Sequence, residues 1–317
     1  MTDLANQKIN PVITKKKNNR LKGPQSLSPA AYYSLIIFLT LLSLACVVPL
    51  LLVIMTSLTD EASLTVYGYQ FIPQKFSLYA YNYLLNDFDK IARGYGISIF
   101  VTIVGTVSSL LLTSLFAYPV SRSDFPYRNL FAFIVFFTML FNGGLVPWYL
   151  IYVNAGLKDT IFALILPSLI IPFNLIIMRT FFANTIPPAL VESAKIDGAS
   201  EWRIYAQIIM PLSLPVLATV GLFQMLIYWN DWYTSLIFIS SENLVNVQYL
   251  LYRVINNINY LTSGFANQQA IDGALKTLPA QTVRMAMAVV GIGPIIIVYP
   301  FISKYFVKGL TVGSVKG

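Results

Sequence analysis

Residues 32–55 read YYSLIIFLTLLSLACVVPLLLVIM, from Tyr32 to Met55 without one charged side chain. A helix rises 1.5 Å per residue, so about 20 apolar residues cross a hydrocarbon core of about 30 Å. In lipid no water satisfies backbone amides, so such a run must be helical. It also exceeds the roughly 7–15 apolar residues of a secretory signal peptide, and is expected to stay in the membrane. Four more runs are equally free of charge: Gly96–Pro119, Leu130–Leu150, Ile161–Met178 and Met285–Ser303. A sixth, Leu212–Ser240, carries only Asp231. Runs this long exclude a β-barrel, whose strands alternate apolar and polar residues. The fold class is therefore all-α integral membrane, with about six transmembrane helices.

Composition agrees. The chain is 56% hydrophobic and 11% charged, with a mean hydropathy of +0.67. Soluble domains carry about 25% charged residues. There is no histidine, and the single cysteine, Cys46, lies in the first apolar run. An intrachain disulfide and a His or multi-Cys metal site are excluded. The net charge of +8 does not point to nucleic acid, because the basic residues cluster at the ends of apolar runs.

That distribution sets an expected orientation. With the N-terminus inside, the inner segments hold 14 of the 21 lysines and arginines, against 7 outside. Both termini are therefore expected in the cytoplasm. Residues 1–30 read as a basic cytoplasmic tail, an orientation-setting flank more than a lipid- or nucleic-acid-binding segment. Residues 31–310 form the six-helix domain, and 311–317 a short cytoplasmic tail. Two long outer segments, Ser57–Arg93 and Ser241–Val283, offer surface for a partner. Pro49, Pro167, Pro172, Pro215, Pro294, Pro300 and the pair Gly143–Gly144 fall within the runs. Each could bend its helix, although membrane helices commonly tolerate Pro and Gly.

The inner segment from Ile186 to Pro211 spells two short helices. Pro187 and Pro188 suit a first turn, Gly198 can take the left-handed conformation that ends a helix, and Ser200 is a suitable N-cap, followed by Glu201. By itself such a helix–turn–helix could be a simple connector. The stretch, however, resembles the "EAA" loop of ATP-binding-cassette (ABC) importer permeases, with matches at Glu192, Ala194, Gly198, Ile208 or Ile209, and Pro211, and departures at Ser193 and Met210. Asp197-Gly198-Ala199-Ser200, Arg179-Thr-Phe-Phe182, Trp229-Asn230 and the close Tyr299–Gly309 are similar to the second permease subunit of maltose-type carbohydrate importers. Phe141–Pro147 resembles a branch that takes up oligosaccharides with a lipoprotein receptor.

The resemblance implies a type I ABC importer permease, working with a second permease, a cytoplasmic ATPase dimer and an extracellular solute-binding lipoprotein. It implies a transport subunit and not an enzyme. No Gly-x-x-x-x-Gly-Lys-[Ser/Thr] loop occurs, so ATP would be bound by the partner, and no cofactor is expected here. The 186–211 loop would act as a coupling helix: Glu192 as a charged contact, Ala194 and Gly198 as places of close packing, with Ser193, Asp197 and Arg203 beside them. Trp202 and Tyr205 are expected to brace the second short helix against the bundle.

A charge inside a span is a functional candidate. The segment Tyr228-Trp-Asn-Asp-Trp-Tyr233 has the aromatic and hydrogen-bonding character that sugars need. Tyr228, Trp229, Asn230 and Asp231, with Gln224 and Asn142, are the candidates for a substrate path. Local capping by Asp231 and an interfacial aromatic anchor are the alternative. Two other functions stay open at this point: an ABC permease for a solute such as peptides, and a secondary transporter. The second would need ion-coupling charges or inverted repeats within the spans.

Overall fold

The computed structural model describes residues 28–262 and 279–314. The basic cluster of the N-terminal tail, Lys276 and the last three residues lie outside that range. Among the described residues every regular element is helical, and one isolated bridge joins Thr59 to Phe76.

The first apolar run forms α1, Pro29–Ser57, in which the hydroxyls of Ser34 and Ser43 donate back to the carbonyls of Ala31 and Leu39. That return bond lets a serine sit in an apolar helix without leaving its O–H unpaired. The chain divides into two compact units, Met1–Leu51 and Leu52–Gly317, and every helix after α1 belongs to the second.

Residues 57–93, expected as a loop, carry α2 (Glu61–Tyr67), α3 (Tyr79–Leu85) and the start of α4 (Phe88–Ser121). Lys90 and Arg93 thus stand on a helix. The span expected over 96–119 is the remainder of α4. Along it Ser98, Thr102, Gly105, Ser109, Thr113 and Ala117 recur every three or four residues, and all are buried. Small side chains on one stripe let neighbouring helices approach closely in a membrane bundle. At Gly105 a Cβ would stand 2.6 Å from the Tyr228 ring.

The next two runs differ from the expectation of single straight spans. Residues 130–150 divide into α5 (Arg128–Leu140) and α6 (Leu145–Asn154), which meet at 116°. Gly144 takes φ +85°, and the Asn142 side chain accepts from its N–H at 2.8 Å, closing a turn in place of the helical bond. Residues 161–178 divide into α7 (Ile161–Ile165), extended by a 3₁₀ turn at Leu166–Ser168, and α8 (Pro172–Thr185), bent by 49°. Here Pro172 starts the new helix where no N–H is needed.

Three further helices come next: α9 (Pro188–Ile196), α10 (Glu201–Leu212) and α11 (Leu214–Trp229), the last two bent by 78°. Within α10, Tyr205–Ile209 widens into a π turn just before Pro211. A proline lacks an N–H and crowds the carbonyl four residues back, and a wider turn relieves both. The expected span 212–240 ends at Trp229. After a break it resumes as α12 (Tyr233–Phe238). Then come α13 (Val247–Thr262) and α14 (Ala280–Ser314), which starts before the expected 285 and runs into the expected tail.

Among the described residues three helices are long and apolar enough to cross a membrane, or up to six if each bent pair counts as one span. α11 packs against α4, α8 and α14. One core cluster, at the α9–α10 end, joins Ala117, Met178, Phe182, Ile204, Ile209, Val216 and Val220. Another, which includes Trp229, joins α3, α11, α13 and α14 through Ala80, Leu84, Val247, Leu251, Val283 and Met287.

Candidate functional site

The α9–α10 loop turns at Gly198, whose φ of +76° is the left-handed conformation that its position requires. The N–H of Ala199 closes that turn on the carbonyl of Ala194 at 2.9 Å. Ser200 caps α10, its Oγ accepting from the Arg203 N–H at 3.4 Å. A Cβ built on Gly198 meets nothing within 4 Å, so the space in front of it is open.

The loop has a buried side and a bare side. Ile204, Tyr205 and Ile209 enter the core, and the Tyr205 hydroxyl is 2.7 Å from Ser114 Oγ of α4. Tyr205 does brace the second short helix. Trp202 does not: it is 69% exposed, and its ring meets the Tyr205 ring of the same helix edge-on. Helical geometry is the reason. Trp202 lies two positions before the fully buried Ile204, a rotation of about 200° that puts the two on opposite faces. Ile196 is 86% exposed. Glu192, Ser193 and Asp197 are exposed too, and their side chains make no hydrogen bond among the described residues. Ala194 is half-buried against the core cluster, and Arg203 donates to Gln207 at 3.0 Å.

Behind the bare side four charges form a closed ring. Asp124 pairs with Arg122 at 2.5 Å and with Lys195 at 3.2 Å; Glu201 pairs with Arg122 at 3.1 Å and with Lys195 at 3.0 Å. The Tyr118 hydroxyl donates to Glu201 at 2.8 Å. Hydrogen bonds from the Arg122 guanidinium hold the Asp124 carboxyl well below the usual carboxylate range. Burial pushes Glu201 up, but hydrogen bonds from Lys195 and Tyr118 and the Arg122 charge outweigh it and leave it lowered. The sequence points to neither of the long-range pairings, Asp124–Lys195 and Arg122–Glu201, because they join residues 71 and 79 positions apart.

The other candidate group comes out differently. Gln224 is fully buried: its Oε1 accepts from Asn174 at 3.0 Å and its Nε2 donates to the Ser168 carbonyl at 2.6 Å. The Tyr228 hydroxyl donates to the carbonyl of Ile165 at 2.8 Å, and the Trp229 indole donates to that of Gly291 at 3.0 Å. Each of the three thus donates to a backbone carbonyl inside the subunit. Asp231 accepts from the Thr234 N–H at 3.0 Å and so caps α12, the alternative reading of this charge. Asn230 and Asn142 are exposed, and each bonds its own local backbone. Beyond Asp231, Phe238 is buried among Trp148, Tyr149 and Tyr152 of α6, with ring centroids 4.8, 5.8 and 5.1 Å away.

A bundle of broken helices, with a two-helix loop that keeps one face bare, fits a transport subunit driven from outside itself. The profile of a family described as the binding-protein-dependent transport system inner membrane component matches residues 109–312, more than half of the chain. The chain belongs to that family. This permease is 41% identical, over 88% of its length and 96% of the relative's, to the polygalacturonan/rhamnogalacturonan transport system permease protein YtcP of Bacillus subtilis. It is 28% identical to the arabinooligosaccharides transport system permease protein AraQ of Halalkalibacterium halodurans, over 92% and 98% of the two chains. Its fold matches a chain of a bacterial ABC transporter involved in the import of the acidic polysaccharide alginate, with a TM-score of 0.75 and 29% identity, over 89% and 99% of the chains. The permease is thus a membrane component of an ABC importer and not an enzyme. Its family implies an ATPase and a solute-binding protein as partners.

Proposed function

We propose that this permease carries an oligosaccharide across the plasma membrane, paired with a second permease, with its α9–α10 loop seated on a cytoplasmic ATPase dimer. The opposite face, which holds α2 and α13, then meets an extracellular solute-binding lipoprotein. The substrates named for the relatives, polygalacturonan or rhamnogalacturonan, arabinooligosaccharides and alginate, support the sugar class. The lysine and arginine asymmetry supports a cytoplasmic loop and cytoplasmic termini.

One observation carries the coupling role. The loop is anchored on one side by Ile204, Tyr205 and Ile209, while among the described residues Glu192, Ile196 and Trp202 stand largely uncovered on it. On a loop placed outside the lipid, a bare Trp and Ile mark a surface that a partner covers. Glu192 supplies the charged contact, Gly198 the close approach.

Gly198→Asp tests it. A side chain at positive φ costs about 1–2 kcal/mol, and here it meets only the open space where the ATPase would sit. The expected result is a permease that reaches the membrane at normal level, no longer co-purifies with the ATPase, and supports no uptake. Normal ATPase retention with wild-type uptake would make the loop a plain connector.

A further inference from the structure

We propose that the ring of Arg122, Asp124, Lys195 and Glu201 is a strut that carries movement of the α9–α10 loop to the junction of α4 and α5. The proposal rests on the coupling role assigned to the loop above.

The apolar anchors of the loop, Ile204, Tyr205 and Ile209, all lie on α10, and they bind it to α4, α8 and α11. α9 is held far less: none of its residues is fully buried, and only Val191 and Ala194 reach the core cluster. A push delivered to the bare side would tilt α9 against α10 unless something polar joined them. Lys195, in the last turn of α9, does this by pairing with Glu201 in the first turn of α10. The same two side chains then reach across the chain, Lys195 to Asp124 and Glu201 to Arg122.

The far ends of the ring matter equally. Arg122 directly follows α4, and its side chain is only 16% exposed, fixed by a two-pronged bond to Asp124 and a third bond to the Tyr118 hydroxyl at 2.7 Å. Asp124 stands in the short turn that leads into α5. Cations and anions alternate around the ring, so each charge has two opposite neighbours and no like-charged neighbour directly bonded. Exposed ion pairs contribute little to stability. Geometry is the better account of this one: arginine's planar fork fixes direction as well as distance. The strut therefore links the loop to the turn that leads into α5, a helix its apolar anchors do not include.

The test uses the whole importer in proteoliposomes, reading ATPase retention, ATP hydrolysis and sugar uptake together. Arg122→Gln should keep the ATPase bound and hydrolysing, while uptake per ATP falls several-fold; Arg122→Lys, which keeps the charge without the fork, should recover only part. In a second arm Cys46 is replaced and Asp124→Cys is combined with Lys195→Cys. That pair should be uncoupled as free thiols and regain uptake when bridged by a short bifunctional maleimide, because a strut transmits whether its link is ionic or covalent. Wild-type uptake per ATP in Arg122→Gln would overturn the proposal. So would loss of ATPase binding, which would place Arg122 in the docking surface, or loss of all uptake on bridging, which would make the ring a latch that must open. If Gly198→Asp behaves as wild type, the coupling role itself is wrong; if only the ring variants do, the strut alone is.

Discussion

The α9–α10 loop and the last turns of α11 carry similar chemistry, a few aromatics among amides and carboxylates, yet the fold treats them in opposite ways. On the loop, Trp202 and Glu192 stand clear of their own chain. On α11, Gln224, Tyr228 and Trp229 are sunk in the bundle, and each side-chain donor ends on a backbone carbonyl. A polar group already paired inside its subunit has little left to offer a ligand, since taking it away would strand its partner. Availability, more than residue type, separates a contact surface from internal joinery.

The sharpest way to break that comparison is Gln224→Leu. It orphans the Asn174 amide and the Ser168 carbonyl in a buried place, at about 1–3 kcal/mol for each group. The detergent-solubilised permease should melt well below wild type, and adding Asn174→Leu should restore part of the loss. Unchanged melting with a raised KM for sugar would place Gln224 on the substrate path. Gly105→Ala comes next. Its new methyl group would press on the Tyr228 ring, and overpacking of this kind costs about 1–3 kcal/mol. A melting curve that does not move would mean that the ring is not seated on α4. Trp202→Ala has the smallest expected effect on the subunit itself, within about 0.5 kcal/mol of wild type as for other surface positions. Its signature should appear instead as weaker ATPase retention during purification. Were the isolated subunit to lose stability, the tryptophan would be structural after all.

What can be read from the sequence is local. A charge-free stretch such as Tyr32–Met55 forces a helix through its own backbone needs. Gly198 and Ser200 state their conformations within a few residues, and the structure holds both as their chemistry suggests. The 116° turn at Gly144 is present only as two glycines, which a membrane helix can also carry unbent. Gln224 reads as a polar invitation in an apolar run until Asn174, 50 positions away, answers it. The charge ring is beyond reach for the same reason. Nothing near Arg122 announces that its partner is Glu201.

Glu61 of α2 has a mechanical consequence for the last helix. Its two carboxylate oxygens accept from the N–H groups of Gln281 and Thr282 at 2.9 Å each, and from the Thr282 hydroxyl at 2.7 Å. Three bonds converging on one turn pin the start of α14 as a pin holds one end of a rod. Sliding along the axis would break all three together, whereas a small tilt about the pinned turn stretches each only slightly. About twenty residues farther on, about 30 Å along the helix, a tilt of roughly 10° sweeps the rod sideways by about 5 Å. One carboxylate at the near end would thus let a shift too small to disturb its own bonds become a displacement as wide as a sugar ring at the other.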